Sequence, residues 1–174
     1  TAAVTRPSPG LRPPSPRSSG ARAYKFSSPS PRPRGEGARR ADEGRDNHSM
    51  RTFLCRTEEE SAAAGREIAR SLPKDAVVHL VGDLGAGKTF LARAIAAELG
   101  ANPLEVASPS FAIIHEYPRP NGDPIIHIDG YRLSDNRREW LEIGIPAILS
   151  GPGVKLIEWP QRDFADFEAA HVHI

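Results

Sequence analysis

Gly82, Gly85 and Gly87 fall within six residues, and Lys88 and Thr89 follow them at once. Glycines at that density let the backbone turn tightly with its N–H groups pointing inward and no Cβ in the way. The stretch Gly82, Asp83, Leu84, Gly85, Ala86, Gly87, Lys88, Thr89 fits the P-loop template G-x-x-x-x-G-K-[ST]. In that template the loop amides hold phosphates, the lysine reaches the β and γ oxygens, and the threonine hydroxyl ligates magnesium. An ordinary glycine turn before a helix would need neither Lys88 nor Thr89.

Two acids stand out for a related reason. Asp129 follows "IIHI" and Glu158 follows "VKLI", so each ends an apolar run. In α/β folds ligands gather at the carboxyl ends of the strands, and a P-loop site needs a carboxylate there to hold magnesium directly or through water. A second carboxylate can orient the attacking water. Spacing alone leaves open which acid does which.

The elements around these residues must place them. Residues 77–81, "VVHLV", are long enough for a buried strand and too short for a helix. From Lys88 the apolar residues Leu91, Ile95 and Leu99 recur at helical spacing, and Gly100 is a natural stop. Strand, glycine loop and helix N-terminus together form a concave anion site. "RTFLC" at 51–55 reads as a strand, and Thr57 with Glu60 as a capping box for a helix reaching about Ser71, its stripe being Ala64, Ile68 and Leu72. Strands are predicted over 108–117 and 124–129, with a turn at Pro120-Asn121-Gly122 that allows them to pair antiparallel. A helix over 138–149 breaks near Gly144 to Pro146, and 153–159 forms a further strand. Alternating strands and helices predict an α/β fold: a P-loop NTPase-like, mainly parallel sheet flanked by helices, in a single small domain.

The chain has 174 residues and a near-neutral formal charge of +1, which hides two unlike parts. Residues 1–49 hold ten Lys/Arg, four Asp/Glu, eight Pro and eight Ser, whereas 50–174 carry a net −5. The first part shows almost no apolar periodicity and is expected to be disordered, because it cannot bury enough surface to offset chain entropy. Its prolines and the acids Glu36, Asp42, Glu43 and Asp46 spoil a basic amphipathic transit helix, and no aromatic interleaving marks a nucleic-acid arm. Met50, the only methionine, reads as the true start, with the preceding residues as upstream sequence. No apolar run approaches the ~18 residues of a membrane span. The single cysteine, Cys55, cannot form an internal disulfide, which fits a reducing compartment.

"GDLGAGKT" (82–89), "SPSF" (108–111), "HIDGYRL" (127–133), "LEIGI" (141–145) and "LIEWPQR" (156–162) resemble, in order and spacing, the TsaE (YjeE) family of small bacterial ATPases in tRNA threonylcarbamoyladenosine biosynthesis. The resemblance covers the chain from about Met50 onward. It implies ATP and magnesium as cofactors, hydrolysis rather than small-molecule phosphorylation, and docking onto the TsaB–TsaD pair, with tRNA engaged only through that complex. A cytoplasmic location is expected, and hydrolysis by the isolated chain is expected to be slow, as is common when a partner completes a P-loop site. That pair transfers threonylcarbamoyl from an adenylate made by TsaC onto an adenosine next to the anticodon. By the same resemblance Lys88 and Thr89 take the P-loop roles, Glu158 is the magnesium carboxylate, and Asp129 is the catalytic or outer acid, a metal ligand in the alternative. Nucleotide contacts are expected to extend to Phe90, to Ser108 and Ser110 in what resembles a switch-like segment facing the γ-phosphate, and to Trp159, which fits the ATP site and the partner surface equally.

The sequence departs from the family pattern in places. Ser110 replaces the usual threonine and keeps the hydroxyl, whereas Phe90 replaces a common second threonine and loses it. Gly130 replaces a usual leucine, which is expected to loosen the Asp129 loop. The chain stops at "HVHI", where relatives continue through another strand or hairpin, so a truncated C-terminus is expected.

Two other readings stay open. In a small-molecule kinase, Arg132, Arg137 and Arg138 would imitate a phosphate-clamping lid, although no acceptor pocket is evident. In a nucleotide-gated binding module, ATP would act as an assembly switch with little turnover. A GTPase is disfavoured because the Asn-Lys-x-Asp guanine motif is absent. His171 and His173 would share one strand face but have no cysteine or acid in ligand register, so surface or edge roles are expected; His127 is as well explained by burial as by function.

Overall fold

Strands buried on both faces must be covered on both sides, and "VKLIE" and "VVHLV", mostly apolar, are such strands. The computed structural model describes residues 21–28, 50–106, 113–120, 122–132, 137–160 and 169–174. It places both runs at the centre of a seven-stranded sheet. The strands are β1 (Arg22–Ser27), β2 (Arg51–Cys55), β3 (Val77–Val81), β4 (Ile114–Arg119), β5 (Gly122–Asp129), β6 (Val154–Glu158) and β7 (Ala170–His173). Their order is β2-β1-β7-β3-β6-β5-β4. The core β7-β3-β6-β5 is parallel, while β1 runs antiparallel to both β2 and β7, and β4 antiparallel to β5.

Helices α1 (Glu58–Ser71) and α2 (Lys88–Glu98) cover one face. Thr57 caps α1 as expected, its hydroxyl accepting from Glu60 N at 3.1 Å, a contact typically worth ~1 kcal/mol. The buried stripe is wider than the one read from the sequence: Ser61, Gly65 and Ala69 join Ala64 and Ile68, while Leu72 ends the helix half-buried. Gly65 lets the two helices approach, since a Cβ there would lie 2.7 Å from Ala94 Cβ. Beneath them Val78, Leu80, Leu156, Ala170 and Val172 join Leu91 and Ile95 in the larger core. The other face carries α3 (Arg137–Glu142) and α4 (Ile145–Ser150), whose Trp140, Ile145 and Leu149 pack on Val77, Ile126, Ile128 and Ile157. Their separation falls at Gly144, with a φ of 77°.

The largest departure from expectation is β1. Residues 22–27 fall in the segment expected to be disordered, yet they form a strand inside the sheet with Tyr24 and Phe26 wholly buried. The reason is legible afterwards: "RAYKFS" alternates aromatic and polar residues at the strand period of two, and a backbone paired on both sides leaves few groups to water. Outside 21–28 the tail lies outside the described residues. β7 is likewise an interior strand, so His171 is not on an edge; it is half-buried and meets His79 edge to face, with ring centroids 4.9 Å apart. Among the described residues no helix is long and apolar enough to cross a membrane.

Candidate active site

The loop between β3 and α2 bends as its glycines require. Gly85 and Gly87 adopt φ of 80° and 107°, a region in which a side chain is strained, and Gly87 caps α2. The Lys88 side chain is buried and folds back over the loop, Nζ donating to Gly82 O at 2.7 Å and Asp83 O at 2.8 Å. Burial lowers its pKa, against the opposing pull of Glu158, Asp83 and Asp129. The same ammonium lies 3.5 Å from the ring centroid of Trp159, a cation–π contact.

Trp159 follows β6 with a φ of 55°, the one positive φ at a non-glycine residue among those described. That turn aims its ring at Lys88 and brings its carbonyl against Gly130, where a Cβ would meet Trp159 O at 2.2 Å. Gly130 therefore tightens the Asp129 loop instead of loosening it, because only a residue without a side chain can approach the Trp159 carbonyl so closely. Tyr131, largely exposed, packs against the Trp159 ring with centroids 5.7 Å apart.

Asp129 and Glu158 end adjacent parallel strands in direct register. Glu158 is buried and receives Thr89 Oγ1 at 2.8 and 3.1 Å from its two oxygens, while His127 Nε2 lies 2.9 Å from Oε1. His127 is wholly buried, and the Tyr117 hydroxyl stands 3.5 Å from its Nδ1. Asp129 accepts from Tyr131 N at 3.1 Å and lies 3.4 Å from Arg132 Nε. Burial, reinforced by Glu158, raises its pKa, while the Tyr131 amide and Arg132 oppose the rise.

Most of the residues selected from the sequence thus converge: the loop 82–88, Thr89, Asp129, Glu158 and Trp159. Phe90 is half-buried and lines a groove with Ala62, Arg66 and Arg93, on the side of α2 toward α1. Ser108 and Ser110 lie outside the described residues. Of the lid arginines considered, Arg132 faces Asp129 and Arg138 pairs with Glu142 at 3.4 Å. The place of His127 against Glu158 is not evident from the sequence. Its signal is the His-x-Asp spacing, which puts His127 and Asp129 on one face of β5.

A hydroxyl and two carboxylates gathered beside an anion cradle form an oxygen donor set that fits magnesium, which is typically held by one or two carboxylates together with substrate phosphates and water. No group of three or more His, Cys, Asp or Glu able to hold a metal occurs among the described residues, so these residues offer no dedicated cage. Thr89 and Glu158 would hold the ion, with Asp129 beside them.

Residues 55–174 match the family described as threonylcarbamoyl adenosine biosynthesis protein TsaE. The chain belongs to the TsaE family. A TsaE of Aquifex aeolicus, named as a tRNA threonylcarbamoyladenosine biosynthesis protein, is 35% identical over 116 residues, covering 66% of this chain and 80% of that one. The Bacillus subtilis TsaE is 40% identical over 102 residues, 59% of this chain and 61% of its own length. The crystal structure of Bacillus subtilis YdiB gives a TM-score of 0.43 at 32% identity, over 59% of this chain and 60% of that one. Strand β1, with Arg22, Tyr24 and Phe26, precedes the region that matches the TsaE family.

Proposed function

We propose that this chain is a magnesium-dependent ATPase that serves threonylcarbamoyladenosine modification of tRNA next to the anticodon, in the cytoplasm and together with TsaB–TsaD. The names of the TsaE relatives, threonylcarbamoyladenosine biosynthesis proteins, support the process. The observation that carries the chemistry is the contact of Thr89 Oγ1 with Glu158 at 2.8 Å, directly after a P-loop lysine. It brings the hydroxyl and carboxylate expected at a nucleotide-bound magnesium to one point.

In this reading the amides of 82–89 and the α2 N-terminus hold the phosphates, and Lys88 exchanges the loop carbonyls for phosphate oxygens. Magnesium, when bound, offsets charge developing on the phosphates. His127, 2.9 Å from Oε1, holds the Glu158 carboxylate in place. Asp129, half-buried and with a raised pKa, is suited to orient the water that cleaves ATP to ADP and phosphate. The net −5 of residues 50–174 gives no electrostatic reason for tight tRNA binding by this chain alone, so tRNA is reached through the complex.

One observation favours a second reading, a nucleotide-gated binding module: Lys88 is bonded to its own loop and covered by Trp159, an arrangement that a phosphate would have to displace. Steady-state ATP turnover by the full chain, alone and with TsaB–TsaD, separates the two. Partner-stimulated hydrolysis lost in Lys88→Ala and Glu158→Ala supports the ATPase. Nucleotide binding without turnover in either condition leaves the module.

A further inference from the structure

The P-loop has a neighbour that the family match does not include. Arg22 opens β1 and pairs in register with Cys55, the last residue of β2. Because β1 is antiparallel to β7, and β7 parallel to β3, the beginning of β1 lies at the same end of the sheet as the P-loop. Alternation along the strand puts Arg22 on the same face as Tyr24 and Phe26, which is the face covered by α1 and α2. Its guanidinium accordingly reaches α2. A Cβ placed on Gly87 would lie 3.5 Å from Arg22 Nη1, 3.6 Å from Cζ and 3.8 Å from Nε. Near-equal distances to three atoms of one plane mean that the guanidinium lies broadside to the residue that caps α2.

We propose that Arg22 is a second cation of the nucleotide site, binding a phosphate oxygen of the bound nucleotide beside Lys88. This rests on the nucleotide-site reading above. A guanidinium is the group suited to such a place, being permanently charged and presenting a planar fork of donors to phosphate oxygens. Two other arginines near the site are engaged elsewhere: Arg132 faces Asp129 at 3.4 Å, and Arg93 donates to Val106 O at 2.8 Å. Arg22 is also firmly carried, since Tyr24 and Phe26 anchor its strand in the core and the Arg51 guanidinium lies 5.3 Å from the centroid of the Phe26 ring. The contact is therefore delivered by a strand of the sheet, and the part of the chain before the TsaE match takes a direct share in ligand binding.

The test is MgADP affinity of the full chain by calorimetry, paired with the rise in melting temperature that MgADP produces over each variant's own ligand-free value. Arg22→Gln should weaken binding about tenfold or more, the usual scale for a lost charge-assisted contact, and Arg22→Lys should recover part of it. Lys25 lies between Tyr24 and Phe26 with its side chain exposed on the opposite face of β1, so Lys25→Gln removes the same charge away from the site and should bind like wild type. Arg22→Gln within twofold of wild type overturns the proposal, as does an equal loss in Arg22→Gln and Lys25→Gln, which would mark a diffuse charge effect. If Lys88→Ala binds as tightly as wild type, the nucleotide-site reading itself fails. If Lys88→Ala loses binding and Arg22→Gln does not, only the role of Arg22 fails.

Discussion

Thr89 and Glu158 are 69 residues apart in the chain, yet the Thr89 hydroxyl lies 2.8 and 3.1 Å from the two oxygens of the Glu158 carboxylate. One residue lies in the first turn of α2 and the other ends a central strand, so the contact joins the end of the glycine loop to the sheet. His127 Nε2 lies 2.9 Å from the same Oε1 oxygen that Thr89 contacts at 2.8 Å.

If His127 positions Glu158 for magnesium, His127→Gln should raise the magnesium concentration needed for half-maximal nucleotide binding by roughly 10–100-fold, the scale of outer-shell losses at metal sites. Affinity at saturating magnesium should change much less. A magnesium titration monitored by nucleotide binding checks this, and an unchanged midpoint would remove His127 from the site.

Trp159 covers the Lys88 ammonium at 3.5 Å, so any ligand that draws Lys88 away changes the surroundings of the indole. MgADP should alter Trp159 fluorescence, with Trp140→Phe retaining the signal and Trp159→Phe losing it. Trp140 is buried among Ile145 and Leu149 on the other face and serves as the internal reference. Emission that ignores nucleotide at saturation would mean the ring does not follow Lys88.

Stability should depend on pH through His79. Burial first, and His171 second, push its pKa from 6.5 to about 4. The unfolded imidazole takes up its proton near 6.5 and the folded one only near 4, so between those values the unfolded state binds more protons. This contribution is complete above about pH 6.5 and is lost as pH falls toward 4. His171, also lowered by burial and by His173, acts in the same direction. Urea denaturation at a series of pH values should show a shallower dependence of stability on pH for His79→Phe than for wild type, and parallel slopes would contradict the assignment.

Strand β1 should contribute measurably to stability. Phe26→Ala in the full chain is expected to cost ~3–5 kcal/mol, the usual range for truncating a buried phenylalanine. Tyr24→Phe should be neutral or slightly stabilising, because the buried Tyr24 hydroxyl has no hydrogen-bond partner among the described residues. Chemical denaturation decides both. A Phe26→Ala protein as stable as wild type would show that residues 22–27 add little to the fold.

The strand–glycine loop–helix unit is legible from sequence because everything that makes it is contiguous: a buried strand, three glycines, Lys88, Thr89 and a helix within residues 77–98. The cap at Thr57, the break at Gly144 and the strand-end positions of Asp129 and Glu158 are legible for the same reason, being set by neighbours a few residues away. Gly130 misleads, because the space at that position is set by the Trp159 carbonyl, which follows another strand.

What the sequence alone determined is the local chemistry, the alternation of elements and the family resemblance. Tertiary structure decided which distant groups meet: Thr89 with Glu158, His127 with that carboxylate, Trp159 over Lys88, and Arg22 beside Gly87. It also decided that β1 enters the sheet between β2 and β7. The physical reason is that strand pairing and burial are properties of two or more segments at once. "RAYKFS" carries a strand pattern in too short a run to stand out among prolines and arginines, and it becomes a strand only where two other strands supply its hydrogen bonds and a core receives Tyr24 and Phe26.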